Sequence, residues 1–353
     1  MPLSTSAHAY DRSSTGPFRH IPVFDMPYPP ESPNKSLPEA ANNLREWLRG
    51  HQIATSPEAW AQVRRTRPDL MAARYYPNVD TASLIRHTCW IAWAFIVDDE
   101  LDDGPAGRDP QRCRDAINEL IDTANGEKPR GPYSVALDEL WKATTQDRSR
   151  EWRQIHFADF CDWLWTYHTE AVRRASGERI GLVDYIPFRC KSIAMLFYGA
   201  DHAEAALGIE LPPYIRRLPA LDNIRHLASE HIGLLNDIFS ITKDRVLGNS
   251  NAVHIVMAEQ SCDLATAIRH VNALLTDKIN AIVDEEAALA VQLAAAGTEE
   301  ETTSQLATCL KAYKSVVRGN HDWHFEVGRY TAPEAIRDGV ALYTEDLFAD
   351  RTH

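Results

Sequence analysis

Residues 89–103 read CWIAWAFIVDDELDD, an apolar and aromatic run that ends abruptly in acidic side chains. Apolar residues recur at three- and four-residue spacing from Ala82 to Leu101, so this segment is predicted to be a helix. On a helix, Asp98 and Asp102 share one face, and Asp99 lies three residues before Asp102. Five acids within six residues repel one another. Either they form a solvated helix end, or they bind a hard cation such as Mg²⁺, which takes oxygen ligands.

The rest of the chain shows the same helical spacing on both sides of this run. Sustained period-two alternation is absent, and so are a β-α-β rhythm and a glycine-rich phosphate loop. The sequence therefore predicts an all-α fold, built as a single-domain helical bundle. The other predicted helices are Ala40–Leu48, Pro57–Tyr75, Pro110–Ala124, Tyr133–Thr144, Glu151–Ala175, Leu182–Tyr198, Leu221–Val246, Asp263–Ala295, Glu299–Asn320 and Pro333–Leu347.

The N-terminal segment differs in amino-acid composition from the rest of the chain. Eight of the twenty prolines fall within the first forty residues, where they exclude regular helix. We therefore predict a Pro-rich, extended arm over residues 1–38 that straps across the body. Residues 39–353 are predicted to form the helical domain.

Composition excludes several classes of protein. The 353 residues carry 37 basic and 50 acidic side chains, a formal charge of −13, whereas proteins that coat nucleic acid or anionic membranes are normally basic. No uncharged apolar run approaches the roughly 18 residues of a membrane span, and the N-terminus has no apolar signal segment. The six cysteines are scattered, as is usual in a reducing compartment. We expect a cytoplasmic protein with no nucleic-acid partner.

A second polar pattern occupies residues 234–244, which read LLNDIFSITKD. Asn236, Ser240 and Asp244 follow one another at four-residue intervals, so an amide, a hydroxyl and a carboxylate lie along one stripe of a helix. All three side chains offer oxygen to a hard cation. The same pattern also fits a polar helix face whose serine bonds back to its own turn, and the stripe alone does not separate the two interpretations.

Taken together, the two motifs resemble those of the class I terpene synthases of bacteria. Asp98-Asp99-x-x-Asp102 is followed, 138 residues after Asp98, by Asn236-Asp237-x-x-Ser240-x-x-Lys243-Asp244. The resemblance covers roughly residues 20 to 335. Further matches in the expected order are Arg189, which lies 47 residues before Asn236, the Arg329-Tyr330 pair, Glu170 and Arg173 after Trp163, Trp165 and Tyr167, and the strap-like segment from Phe24 to Pro30.

The resemblance implies a bundle of the class I terpenoid synthase type with a central cavity and two sets of Mg²⁺ ligands at its mouth. Magnesium, in three ions, would be the cofactor, and Mn²⁺ would be able to replace it. The ligands on one side of the mouth would be Asp98, Asp99 and Asp102, and those on the facing helix would be Asn236, Ser240 and Asp244.

The resemblance also implies how the substrate is held. Arg189, Lys243 and Arg329 would grip the diphosphate, and Tyr330 would add a hydrogen bond. Such groups are needed because several negative charges gather on the leaving group as the C–O bond ionises. The remaining carbocation requires a dry cavity with aromatic walls. Phe95 is the candidate wall residue nearest the first motif, although a plain core role fits it equally.

Two positions depart from the family's pattern. The second motif usually ends in glutamate, whereas Asp244 is one methylene shorter, which changes the reach of that ligand. After the arginine that Arg189 matches, the family often has a glycine at a helix break, and residues 190–194 (CKSIA) contain none.

The resemblance favours ionisation and cyclisation of farnesyl diphosphate to a cyclic sesquiterpene. A diterpene synthase acting on geranylgeranyl diphosphate is the first alternative. A chain-elongating prenyltransferase would need a second Asp-Asp-x-x-Asp, which the second motif lacks, and a helical scaffold that had lost activity would lack metal-ligand residues that are present here. The sequence leaves open a monomer or a homodimer.

Overall fold

In a computed structural model of the chain, residues 21–330, 336–337, 340–341 and 348 are described, except for the side chains of residue 103 and of the last two pairs. The described part is a bundle of α-helices, which confirms the predicted all-α class. The helices are α1 (Leu37–Gly50), α2 (Pro57–Thr66), α3 (Pro68–Tyr75), α4 (Thr81–Asp98), α5 (Pro105–Arg108), α6 (Pro110–Ala124), α7 (Pro132–Thr145), α8 (Arg150–Ser176), α9 (Leu182–Ser192), α10 (His202–Leu207), α11 (Pro213–Arg216), α12 (Pro219–Leu247), α13 (Ala252–Gln260), α14 (Leu264–Ala296) and α15 (Glu300–Glu326).

Two predicted segments are interrupted in the structure, and one observed helix was not predicted. The segment Pro57–Tyr75 is two helices, because Arg67 adopts a left-handed backbone with φ 52° and Pro68 starts a new helix at its first position. The segment Leu182–Tyr198 breaks after Ser192. Helix α13 was not predicted, although Asn251 accepts a hydrogen bond from the Val253 amide and is a regular N-cap signal.

The predicted helix Pro333–Leu347 is wrong in its described part. Ile336–Arg337 (β1) and Val340–Ala341 (β2) are two-residue strands that pair antiparallel, Ile336 opposite Ala341. The other residues of that segment lie outside the described part of the chain.

Long helices enclose the centre of the bundle. α12 packs against α9, α14 and α15, α8 packs against α6 and α9, and α3 packs between α4 and α15. The core contains fully buried aromatic side chains such as Trp90 and Phe197, whose rings meet edge to face with centroids 5.6 Å apart. This packing fixes the inward faces of α4, α8, α9, α12 and α15 around one cavity.

The acidic run forms an irregular C-terminal end of α4. The helix runs to Asp98 and then widens into one π-helical turn at Asp99–Asp103, a distortion that often marks functional sites. The chain then folds back so closely that a Cβ on Gly107 would overlap the carbonyl oxygen of Leu101. Only glycine fits there, so the geometry of the turn depends on Gly107.

Within the predicted arm, residues 21–36 contain no helix, whereas Leu37 and Pro38 already belong to α1. The arm contacts α3, α12 and α15. The Phe24 ring stacks on Phe239 at a centroid distance of 6.2 Å and meets Phe325 edge to face at 6.0 Å. The division of the chain at residue 38 remains a prediction. No helix in the described residues is long and apolar enough to cross a membrane.

Candidate active site

A cavity of about 150 Å³ opens where the two polar motifs face each other. Its depth is mainly apolar and aromatic, and its mouth carries charged side chains. Phe95, Trp163, Phe188 and Trp323 line it, whereas Trp90, Trp93 and Phe197 are buried in the core behind it. Trp165 is 36% exposed and lies outside the cavity lining.

Two of the three aspartates of the first motif line the cavity. Asp98 accepts hydrogen bonds from the Tyr167 hydroxyl at 3.1 Å and from Arg329 Nη2 at 3.0 Å. Asp102 accepts from Asn249 Nδ2 at 3.3 Å and from Arg174 Nη1 at 3.5 Å. Their carboxylates are four residues apart on the same side of the chain, as the sequence spacing predicted.

Asp99 is not among the residues that line the cavity. Its carboxylate is buried and accepts two hydrogen bonds from Arg329, at 2.7 and 3.2 Å, with Lys243 Nζ 3.5 Å away. Burial alone would raise the pKa of Asp99, but the positive charges of Arg329 and Lys243 and a hydrogen bond from Gln62 lower it below its usual value. Asp99 is therefore an anionic partner for Arg329, and its assignment as a metal ligand stays a prediction.

The second motif forms a hydrogen-bonded stripe on α12. Ser240 Oγ donates to Asp244 Oδ2 at 2.5 Å, and Asn251 Nδ2 donates to the same oxygen at 2.7 Å. Burial and the nearby charge of Asp237 raise the pKa of Asp244 despite these hydrogen bonds. Asn236, Ser240 and Asp244 all line the cavity, so the three predicted metal ligands lie on one face of α12.

Arg189 reaches the second motif from α9. Its Nε donates to Asp237 Oδ1 at 2.8 Å and its Nη2 donates to Asn236 Oδ1 at 2.7 Å. The aliphatic part of the side chain crosses α12 at Gly233, where a Cβ would lie 2.9 Å from Arg189 Cγ. The buried Asp237 carboxylate also accepts from the Tyr185 hydroxyl at 2.8 Å, so it anchors Arg189 rather than facing the cavity.

The Arg329-Tyr330 pair closes the mouth from the C-terminal side. The Arg329 guanidinium lies over the Phe95 ring at 4.6 Å, a cation–π contact, while its Nη atoms donate to Asp98 and Asp99. Arg329 Nε has no hydrogen-bond partner among the described residues, so a buried donor is available to an anion. Lys243 also lines the cavity, with its Nζ 3.9 Å from Asp98 Oδ2.

Two side chains fix the amide of Asn236. Its Nδ2 donates to the Tyr330 hydroxyl at 2.7 Å and lies 3.2 Å from His324 Nε2. His324 Nδ1 faces the carbonyl oxygen of Asn320 at 2.8 Å, so that nitrogen carries the proton and Nε2 accepts. Burial lowers the pKa of His324 to about 3, which keeps the ring neutral. The amide oxygen of Asn236 is thereby directed toward Arg189.

The helix break after Arg189 forms without glycine. α9 ends at Ser192, whose hydroxyl accepts from Arg189 Nη1 at 3.2 Å, and Ala194 takes a left-handed backbone with φ 61°. Ile193 and Ala194 line the cavity at this break. An alanine here carries strain that glycine would avoid, which is typical of functional turns.

The side chains at the cavity mouth carry the kind of oxygen ligands that a hard divalent cation prefers. Asp98 and Asp102 on one side of the mouth and Asn236, Ser240 and Asp244 on the other supply carboxylate, amide and hydroxyl oxygens. Within the described residues no three Asp, Glu, His or Cys side chains converge in a ready-made metal cluster. The aspartates instead accept hydrogen bonds from arginine and asparagine side chains, so these hydrogen bonds would have to break for a metal to bind.

Several polar residues of the site were not found from sequence. Asp237 anchors Arg189, Asn251 holds Asp244, and Arg174 pairs with Asp102. Only Asn251 had a local signal, as an asparagine before an apolar helical run. Arg174 lies beside Arg173, which the family pattern highlighted, but Arg173 instead pairs with Glu170 and covers the Phe188 ring at 4.4 Å.

Comparison with known proteins agrees with this geometry. A family model described as "Terpene synthase family 2, C-terminal metal binding" matches residues 89–281. The chain is 31% identical over 318 residues to (2Z,6E)-hedycaryol synthase of Kitasatospora setae, covering 89% of this chain and 93% of that protein. It is 24% identical over 318 residues to 7-epi-alpha-eudesmol synthase of Streptomyces viridochromogenes, described as (2E,6E)-farnesyl diphosphate cyclizing, covering 88% of this chain and 92% of that protein.

A solved structure shows the same fold. Hedycaryol synthase in complex with nerolidol matches with a TM-score of 0.74 at 29% identity, covering 87% of this chain and 99% of that one. The family match includes both oxygen-rich motifs and Arg189. The chain therefore belongs to terpene synthase family 2 and is a class I terpene synthase of the bacterial type, an enzyme that uses a divalent metal.

Proposed function

We propose that this enzyme ionises farnesyl diphosphate and cyclises the resulting cation to a cyclic sesquiterpene, with release of diphosphate. One observation supports this most strongly. Oxygen ligands suited to Mg²⁺ and the cations Arg189, Lys243 and Arg329 surround one mouth, which opens on an aromatic cavity. Such a site separates a stabilised anion at the mouth from a cation in the dry interior.

The cationic side chains would hold the diphosphate. Arg329 offers its unpartnered Nε, and Lys243 approaches from α12. Arg189 would exchange its hydrogen bond with Asn236 for one to a phosphate oxygen while Asp237 keeps its guanidinium in place. Tyr330 would donate its hydroxyl proton, since it only accepts from Asn236 among the contacts described.

Magnesium, when bound, would supply positive charge that stabilises the diphosphate as it departs. Asp98 and Asp102 would hold it on one side of the mouth, and Asn236, Ser240 and Asp244 on the other. Asp99 would be the third ligand of the first motif, and its carboxylate would give up a hydrogen bond from Arg329 to bind the metal. The proposal includes three magnesium ions, replaceable by manganese.

The cavity walls would protect the carbocation from bulk water. Phe95 stacks on Trp323 at a centroid distance of 5.5 Å, and both rings line the cavity. Trp163, on α8, also lines the cavity. Aromatic faces stabilise cations through their quadrupoles without reacting as bases.

Fifteen-carbon substrates are favoured because the similar eudesmol synthase carries farnesyl diphosphate in its name. A diterpene synthase remains the alternative. Chain elongation is disfavoured, because the second motif presents only one carboxylate, Asp244, to the cavity. We further propose a cytoplasmic enzyme, monomeric or homodimeric, with one helical domain after the N-terminal arm.

The test is incubation of the full chain with C10, C15 and C20 isoprenyl diphosphates in Mg²⁺, followed by measurement of diphosphate release and analysis of the organic extract. The expected result is fast diphosphate release and a cyclic product from the C15 substrate. Excess chelator should abolish both, and Mg²⁺ should restore them. A preference for the C20 substrate would support the diterpene alternative. Elongated prenyl diphosphates, or turnover in chelator, would contradict the proposal.

A further inference from the structure

The depth of the cavity contains one buried polar pair that the proposed diphosphate chemistry does not use. Asn320 on α15 lines the cavity with only 4% of its surface exposed. Its Nδ2 donates to the Tyr75 hydroxyl at 2.8 Å. Its Oδ1 is buried and has no hydrogen-bond partner among the residues that the structure describes. An unsatisfied buried amide oxygen is costly, so it normally binds a ligand or a water molecule.

The surroundings of this pair are apolar. Met71, Ile91 and Trp323 line the same cavity, and the Tyr75 hydroxyl points to Met195 Sδ at 3.9 Å, a weak acceptor. A polar pocket of this kind accepts water if two or more partners are available. Asn320 Oδ1 is one acceptor. The Tyr75 oxygen is a second, because a hydroxyl has two lone pairs and Asn320 Nδ2 occupies only one.

A water held by two acceptors has a defined orientation. Both of its hydrogens would be donated, one to Asn320 and one to Tyr75, so its oxygen lone pairs would face the cavity. This is the orientation of a nucleophile. Bases, by contrast, are remote or engaged: the lining carboxylates belong to the motifs at the mouth or to Glu170, which accepts from the Ser250 amide.

His324 does not supply a free base either. Its Nε2 lies against the Asn236 amide, and its Nδ1 faces the Asn320 backbone carbonyl. A cation formed in the depth of the cavity therefore meets an oriented oxygen before it meets a base.

We propose that Asn320 and Tyr75 bind a nucleophilic water that ends the reaction, so that the main product is a cyclic sesquiterpene alcohol. The inference rests on the proposed function. The water oxygen would form a C–O bond with the cationic carbon of the cyclised intermediate. The resulting oxonium would lose one proton to the released diphosphate, leaving a neutral alcohol. No oxidant or reductant is needed.

The experiment uses the full chain, farnesyl diphosphate, Mg²⁺ and ¹⁸O-labelled water, with mass spectrometry of the extract. The wild type should yield mainly alcohol that carries ¹⁸O. Asn320→Leu should lower the ratio of alcohol to hydrocarbon by about tenfold or more, as expected when a buried hydrogen bond to a bound molecule is lost. Tyr75→Phe should shift the ratio in the same direction. It tests the same water site if the Asn320→Leu variant does not fold.

Tyr313→Phe is the matched control, because it removes a buried hydroxyl that bonds Glu204 at 3.4 Å outside the cavity lining. It should keep the wild-type ratio. The Tyr198 hydroxyl is a second buried cavity group without a partner in the described chain, so Tyr198→Phe tests a rival water site. Loss of alcohol in Tyr198→Phe alone would overturn the proposal.

Two further results would also overturn it. The first is a wild type that releases diphosphate but forms only hydrocarbons, which leaves the proposed function intact. The second is an unchanged alcohol fraction in both Asn320→Leu and Tyr75→Phe. Absence of diphosphate release from any isoprenyl diphosphate would instead defeat the proposed function, and the water site with it.

Discussion

Asp98 and Asp99 are neighbours in the sequence, but the structure predicts opposite consequences for their replacement by asparagine. The Asp98 side chain is 32% exposed at the cavity mouth, whereas that of Asp99 is 3% exposed and bonded twice to Arg329. Asp99→Asn would leave the buried guanidinium of Arg329 with one carboxylate partner, Asp98, beside the neutral hydroxyl of Thr66. We therefore expect Asp99→Asn to reduce stability and Asp98→Asn to reduce metal binding.

The magnitude follows from the ion pair. Removing one partner of a buried pair typically costs about 3–5 kcal/mol, and we expect about 3 for Asp99→Asn because Asp98 still contacts Arg329. At about 2.1 cal/mol/K of unfolding entropy per residue, this lowers the Tm by about 4 °C. Asp98→Asn, which loses a partly exposed contact, should cost about 1 kcal/mol or less.

Equilibrium urea unfolding without Mg²⁺ measures the stability of both variants, and a Mg²⁺ titration of diphosphate release measures the metal requirement. Asp98→Asn should raise the Mg²⁺ concentration at half-maximal rate by at least about tenfold, since even outer-shell substitutions cost 10–100-fold in metal affinity. Asp99→Asn should shift it less. Equal stability of Asp99→Asn and wild type would refute the assignment of Asp99 as the buried partner of Arg329.

Three further predictions concern metal, the second motif and pH. Activity should vanish in excess chelator and return with Mg²⁺ or Mn²⁺, as followed by diphosphate release; full turnover in chelator would exclude the metal mechanism. Asp244→Asn should raise the Mg²⁺ concentration at half-maximal rate by about tenfold or more, whereas Asp244→Glu should be tolerated. The control is Asp222→Asn, on the same helix but with a side chain that is 53% exposed, and it should leave the titration curve unchanged. An unshifted curve for Asp244→Asn would exclude Asp244 as a ligand. Burial lowers the pKa of His87, His231 and His324 to about 3, so between about pH 6.5 and 3 these three side chains bind more protons in the unfolded chain than in the folded one. The free energy of unfolding should therefore decrease as the pH is lowered through that window, by up to about 1.4 kcal/mol per histidine and pH unit. Urea unfolding measures it, and a free energy of unfolding that is higher at pH 5 than at pH 6.5 would contradict this prediction.

Local patterns in the sequence predicted what depends on a single helix. The stripe of Asn236, Ser240 and Asp244 follows directly from four-residue spacing on α12, and the structure places all three in the cavity lining. The shared face of Asp98 and Asp102 was predicted in the same way. These relations survive because a helix fixes them whatever the rest of the chain does.

Relations between distant segments were not predictable in this way. The Asp99 carboxylate lies among the acids of its motif in sequence, and only packing against Arg329 gives it a separate role. The break after Ser192 falls inside the predicted helix Leu182–Tyr198, and the observed φ of 61° at Ala194 depends on the surrounding helices. Asn320 gave no sequence signal, since its unsatisfied oxygen is a property of the cavity alone.

The contact between Asp99 and Arg329 spans 230 positions of the chain. During synthesis at about 5–20 residues per second, the acidic turn leaves the ribosome roughly 10–50 s before its arginine is made. Until then, burial of the Asp99 carboxylate lacks the bidentate counter-charge that stabilises it. The mouth of the cavity should therefore be among the last parts of the molecule to become ordered, after the apolar helices behind it have packed.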